Sequence, residues 1–149
     1  MDGASDVQVL VDPEGAGDTA RSVAWSSMSP ARDDHGARAQ ITYDNFAKIH
    51  MAVGRVTEVH DFERARAPSY RVRIDFGPRI GERWSSLQAK AWYTQADMLG
   101  RLVVAVINLP PKNIAGFVSE VLVLGVPADD DSLSLLVPDR SARIGADVY

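Results

Sequence analysis

The chain has no cysteine among its 149 residues. Disulfides, thiolate metal sites and cysteine nucleophiles are excluded, and the absence gives no sign of an oxidising compartment. Long apolar runs are missing too: the longest, Leu102–Ile107 and Val121–Leu124, fall far short of the ~20 residues a membrane-crossing helix needs. Asp2 and Asp6 stand where an export signal would carry Lys or Arg, and no apolar stretch follows them. The expectation is a cytoplasmic protein with no membrane insertion. Catalytic signatures are absent as well, with no G-x-S-x-G and no phosphate-binding glycine loop. Glu58, Asp61 and Glu63 form no recognisable acid–base pair, and His50 and His60 share no metal-like spacing with carboxylates. Neither catalysis, nor a metal, nor a cofactor is expected.

Charge is present but uneven. The net −4 divides into −4 over residues 1–40, +3 over 41–126 and −3 over 127–149. A mildly basic middle allows a weak anion-binding face without demanding one. Residues 1–40 are rich in Ala, Ser, Gly, Asp and Pro and lose all periodicity after Val7–Val11. That composition predicts a flexible, disordered N-terminal extension. Trp25 and Met28 are the large apolar groups near its end, and Met28 is a second candidate for the start of the protein.

From Ile41 the texture changes. Thr42 caps a short helix over TYDNFAKI with Asp44 in its first turn. His50–Phe62 alternates, setting Met51, Val53, Arg55, Thr57 and Val59 against Ala52, Gly54, Val56, Glu58 and His60. Period two predicts a strand, with Gly54 marking a bend or bulge. After the charged connection Glu63–Pro68, the run from Tyr70 to Phe76 predicts a second strand. Gly77-Pro78 and Gly81 turn it into a third, Glu82–Gln88. Thr94-Gln-Ala-Asp97 starts a short helix that ends at Gly100. Arg101–Asn108 and Glu120–Val126 supply strands four and five, and Leu133–Val137 is a last extended piece. Five strands with one helix between the third and fourth predict an all-β, five-stranded OB-fold barrel with short helices over residues 41–149.

The stretch NLPPKNIAGFVSEVLVLG (Asn108–Gly125) displays small, polar and cationic groups at one end of that barrel. Pro110 and Pro111 disfavour helix, so Asn108–Gly116 is predicted as a rigid connection between strands. Asn108, Lys112, Ser119 and Glu120 form a candidate binding constellation, against the plainer reading that Asn108 ends a strand and Ser119–Glu120 bond a turn. Glu120 would repel phosphate, so a peptide amide or a lysine suits it better. Ser85, Ser86 and Gln88 lie on the third strand, where short hydroxyls and an amide suit ligand hydrogen bonds; ordinary solvent-facing strand positions are the alternative. Arg71 and Arg73 alternate on the outer face of strand two beside Tyr70, as a ligand cradle or as a solvated sheet face. Trp84, Trp92 and Tyr93 are expected in the core or at an interface.

At VGRVTEVHDF (Val53–Phe62), YRVRIDFG (Tyr70–Gly77), WSSLQ (Trp84–Gln88), YTQADMLGRLVVAVINLPPK (Tyr93–Lys112) and GFVSEVLVLG (Gly116–Gly125), the chain resembles the tRNA-binding domain family. Within it, residues 41–149 look most like the export-related chaperones of CsaA type. The resemblance implies an OB-fold, a homodimer and a non-enzymatic binding role. Lys112 stands at a position where tRNA-binding members carry one of several loop cations, whereas Pro110, Asn113 and Ala115 replace others. Fewer cations mean less of the salt-dependent affinity that phosphate contacts supply. CsaA-type proteins share that loss, which favours unfolded or preprotein segments as partners, with a link to the export machinery. A module that recognises folded tRNA is the alternative. The helix before the barrel and the extended C-terminal tail offer dimer surfaces.

Overall fold

The computed structural model describes residues 38–149. The extension expected at residues 1–40, with Met28, lies outside the described residues as far as residue 37. Residues 38–48 belong to one compact unit and Ile49–Tyr149 form another. In the first, Thr42 caps helix α1 (Tyr43–Ala47), its side chain accepting from the Asn45 N–H at 3.2 Å, as its sequence predicts.

The second unit is built on an antiparallel meander of β1 (Met51–Asp61), β2 (Tyr70–Asp75) and β3 (Glu82–Leu87). A short helix, α2 (Gln95–Met98), leads into β4 (Leu102–Val106), which pairs with the other edge of β1. Thr94 and Asp97 complete a reciprocal capping box on α2, with Asp97 in the role usually taken by Glu. The chain then forms β5 (Lys112–Ile114), β6 (Phe117–Ser119), β7 (Leu122–Val123), β8 (Gly125–Pro127) and β9 (Leu133–Leu135). The main sheet runs β3-β2-β1-β4-β7 and curls into a nearly closed barrel of the OB-fold type.

Alternation in β2 shows why the barrel forms. Tyr70, Val72 and Ile74 are buried, while Arg71, Arg73 and Asp75 are not. Val56, Phe76, Leu87, Met98, Val103, Ala105 and Val121 complete the interior. Burying each large apolar group contributes about 1.5–3 kcal/mol. Gly54 sits where β1 crosses this interior most closely: a Cβ there would lie 2.4 Å from Ile74 Cγ2 and 2.8 Å from the Phe76 ring. Gly54 thus marks a close approach, and the bulge comes three residues later, where Thr57 is skipped between the pairs Val56↔Ile74 and Glu58↔Arg73. Where β2 has left β1, residues 145–148 take its place beside Met51–Val53, through Gly145 N–H to Val53 O (2.7 Å), Val53 N–H to Ala146 O (3.0 Å) and Val148 N–H to Met51 O (2.9 Å).

Two expectations fail in the last third of the barrel. The rigid connection expected over Asn108–Gly116 contains a strand of its own. Lys112–Ile114 and Phe117–Ser119 form a tight hairpin whose two turn residues, Ala115 (φ 51°) and Gly116 (φ 87°), both have positive φ. That is the backbone of a two-residue type I′ turn, usually signalled by Asn-Gly rather than Ala-Gly. The single strand expected over Glu120–Val126 is broken into β7 and β8, because Ser119–Val121 turns aside to meet the edge of β3. There, Glu120 N–H donates to Trp84 O (2.7 Å) and Glu120 Oε1 accepts from Trp84 N–H (2.8 Å). Ser119 Oγ accepts from Ser86 N–H (3.1 Å), and Ser85 Oγ donates to Val121 O (2.9 Å). One backbone bond and three side-chain bonds close the barrel here in place of a strand ladder.

Candidate functional site

The register of β1, β2 and β3 lays out one outward face. Glu58 pairs with Arg73, which pairs with Trp84; His60 pairs with Arg71, which pairs with Ser86. Beside these rows the β5–β6 hairpin brings in Phe117. The Trp84 and Phe117 rings meet edge-on with centroids 6.1 Å apart, and Phe117 meets Phe62 at 5.4 Å. His60 stacks on Trp84 at 6.1 Å. A line of four rings, His60–Trp84–Phe117–Phe62, therefore crosses the face. Two guanidinium groups lie over it, Arg73 on Trp84 (6.0 Å) and Arg71 on Phe62 (5.9 Å).

Charges of both signs are interleaved with the rings. Arg73 Nη1 bonds Glu58 Oε2 at 2.8 Å, and its Nη2 contacts Glu82. His60 Nε2 lies 3.0 Å from Glu58 Oε1. The His60 hydrogen bond and then the Arg73 bond hold the Glu58 carboxyl below its ordinary range, and Glu58 in turn raises Arg73. Asp61, at the end of β1, is lowered by hydrogen bonds from Lys90 (3.0 Å) and Gln95 (3.2 Å). Beyond it, a cleft of about 350 Å³ opens between Phe62, Arg71 and the Ala115–Gly116 turn.

The structure gathers some of the expected site residues and scatters others. Arg71, Arg73 and Ser86 share the outward face. Ser85, expected on that face, points into the barrel and is 1% exposed, because inner and outer positions alternate along β3. Ser119 is equally buried, and both it and Glu120 bond the backbone of β3, as above. Glu120 thus meets a peptide amide, that of its own chain. Gln88 is exposed just past the end of β3. Asn108 Oδ1 accepts from His50 N–H at 3.0 Å, and Lys112 opens β5 opposite Ser119 in register. Trp84, read from the sequence as core or interface, is half-buried on the outward face. Phe62, Phe117 and His60 were not foreseen there; the signal for the first is its place one step beyond His60 on the same side of β1. No group of three or more metal-ligating side chains occurs among the described residues.

Comparison with known proteins places this geometry. Residues 51–147 match the family model "Putative tRNA binding domain". The crystal structure of the CsaA chaperone protein from Picrophilus torridus is similar at a TM-score of 0.70 and 42% identity, over 74% of this chain and 100% of that one. Chaperone CsaA from Bacillus anthracis str. Ames gives 0.69 and 40%, with the same coverage. Methionine--tRNA ligase from Pyrococcus abyssi is 31% identical over 143 residues, 94% of this chain and 19% of that protein. The chain therefore spans about a fifth of the length of that relative.

Proposed function

The chain belongs to the tRNA-binding domain family, and from that premise we propose that it is a non-enzymatic chaperone of CsaA type that holds unfolded or preprotein segments. The observation that carries this reading is the half-buried pair Trp84 and Phe117, packed with the buried Phe62 and set among charges of both signs. Rings offer apolar area to an exposed, unstructured polypeptide. Glu58, Asp61, Glu63 and Glu82 around them work against a polyanion. The likeness to CsaA proteins, over the whole of their length, supports the same reading. In this view the protein acts in the cytoplasm as a homodimer that hands its cargo to the export machinery. Arg71, Ser86, Gln88 and Lys112 border the ligand surface.

A second reading is recognition of folded tRNA. It is favoured by Arg71, which has no carboxylate partner among the described residues, and by the exposed Arg64 nearby. Titration with a labelled unfolded preprotein beside gel shifts with tRNA separates the two. We expect preprotein binding to persist at ~0.3 M salt while tRNA binding falls steeply with log salt concentration. Tight tRNA binding at that salt, with no preprotein binding, reverses the ranking. Lys112→Glu sharpens the outcome, since it is expected to weaken tRNA binding far more than binding of a neutral segment.

A further inference from the structure

Arg71 and Arg73 leave the same strand on the same face two residues apart, yet their surroundings differ. Both Nη groups of Arg73 meet carboxylates. The Nε of each is buried without a hydrogen-bond partner, but no ion pair joins the Arg71 guanidinium to a described residue. It lies over Phe62 inside the cleft of about 350 Å³. Two acids line the cleft, Asp61, whose Oδ1 is bonded to Lys90 and Gln95, and Glu63, and neither forms an ion pair with Arg71. Phe117 forms the facing wall, and Arg64 reaches over Gly116 at the rim.

We propose that Arg71 is an anion seat, in which its planar guanidinium receives one carboxylate of a bound polypeptide while the half-buried Phe117 holds an apolar neighbour. The carboxylate is that of an Asp or Glu side chain or of a chain terminus. This rests on the polypeptide reading above. A carboxylate matches the guanidinium fork in plane and can accept two parallel hydrogen bonds. It also brings a single charge, which the acidic rim at Asp61 and Glu63 tolerates better than a run of phosphates.

The test uses three fluorescein-labelled extended peptides of Phe, Leu, Ser and Thr. One has a central Glu and an amidated end, one has Gln in its place, and one has Gln with a free terminal carboxylate. Anisotropy with the full chain is expected to show about tenfold tighter binding of at least one carboxylate peptide than of the neutral one. Arg71→Met is expected to abolish that ratio, reducing the carboxylate peptides to the affinity of the neutral one. Arg71→Lys, which keeps the charge without the fork, is expected to retain part of it, with thermal melts verifying that both variants fold. If all three peptides bind alike, or the ratio survives in Arg71→Met, the seat is wrong and the chaperone reading stands. If no peptide binds and tRNA does, both are wrong.

Discussion

The meander β1–β2–β3 and the closing segment from Lys112 to Pro127 are held by different means. In the meander, register runs without a gap in β2 from Tyr70 to Asp75, against β1 on one side and β3 on the other, and the inner side chains fill the barrel. In the closing segment, β7 pairs with β4 only at Leu122 and Val123, and the edge of β3 is met by the side chains of Ser119 and Glu120. A ladder distributes its energy over many equivalent bonds, so the loss of one outward side chain matters little. A closure made of two or three side chains concentrates it. The meander is vulnerable to bulk inside, and the closure to loss of single polar atoms.

The largest expected effect breaks the meander from within. Gly54→Val places two methyl groups where even a Cβ meets Ile74 and Phe76, and is expected to cost about 3 kcal/mol or more in urea unfolding. An unchanged midpoint would mean that β1 does not cross β2 this closely. Next comes the closure. Glu120→Ala strands the Trp84 N–H and is expected to cost about 2 kcal/mol, whereas Glu120→Gln keeps an acceptor and recovers most of it. Equal losses in both variants would show that charge rather than the hydrogen bond matters. Ser119→Ala is expected to cost about 1 kcal/mol by the same measurement. The hairpin turn works in the opposite direction. Ala115→Asn, which suits positive φ, is expected to raise stability by about 0.5–1 kcal/mol.

The smallest effect at any one site comes from pH. Glu58, Asp61, Asp97 and Asp147 all have folded pKa values held below their ordinary range by hydrogen bonds. Each binds its proton less readily when folded, so its contribution is complete above the ordinary values of 4.5 for Glu and 3.8 for Asp and is lost as pH falls through the folded value. Melting temperature is expected to decline below about pH 4.5, and Glu58→Gln to shallow that decline. A profile identical in Glu58→Gln would remove the His60–Glu58–Arg73 cluster from the account.

The sequence carried the barrel and its helices because their signals are local. Thr42 and Thr94 cap where hydroxyls cap, and β2 alternates without exception. The closure was not legible, since Ser119 and Glu120 meet partners more than thirty residues away, and a short polar pair looks the same facing a ligand or a backbone. The hairpin at Ala115 was hidden by a residue that turns of this type seldom use. Ser85 and Ser86 looked equivalent, although alternation sends one inward. The aromatic line escaped for a further reason. Strict alternation sets Glu58 and His60 on the side of Ala52 and Val56, which are buried. Only an extra residue in β1 resolves that conflict.

Thr57 is that residue, and its effect is one of counting rather than chemistry. Ahead of it, even-numbered positions point into the barrel; after it, Val59 packs inward while Glu58 and His60 line the outer face. Deleting Thr57 would leave every other side chain unchanged and yet exchange the two sides of the strand's second half, burying a carboxylate and an imidazole and exposing a valine. The whole candidate surface is thus a matter of phase. A single inserted position, itself no member of the aromatic line, decides which side chains this barrel turns outward.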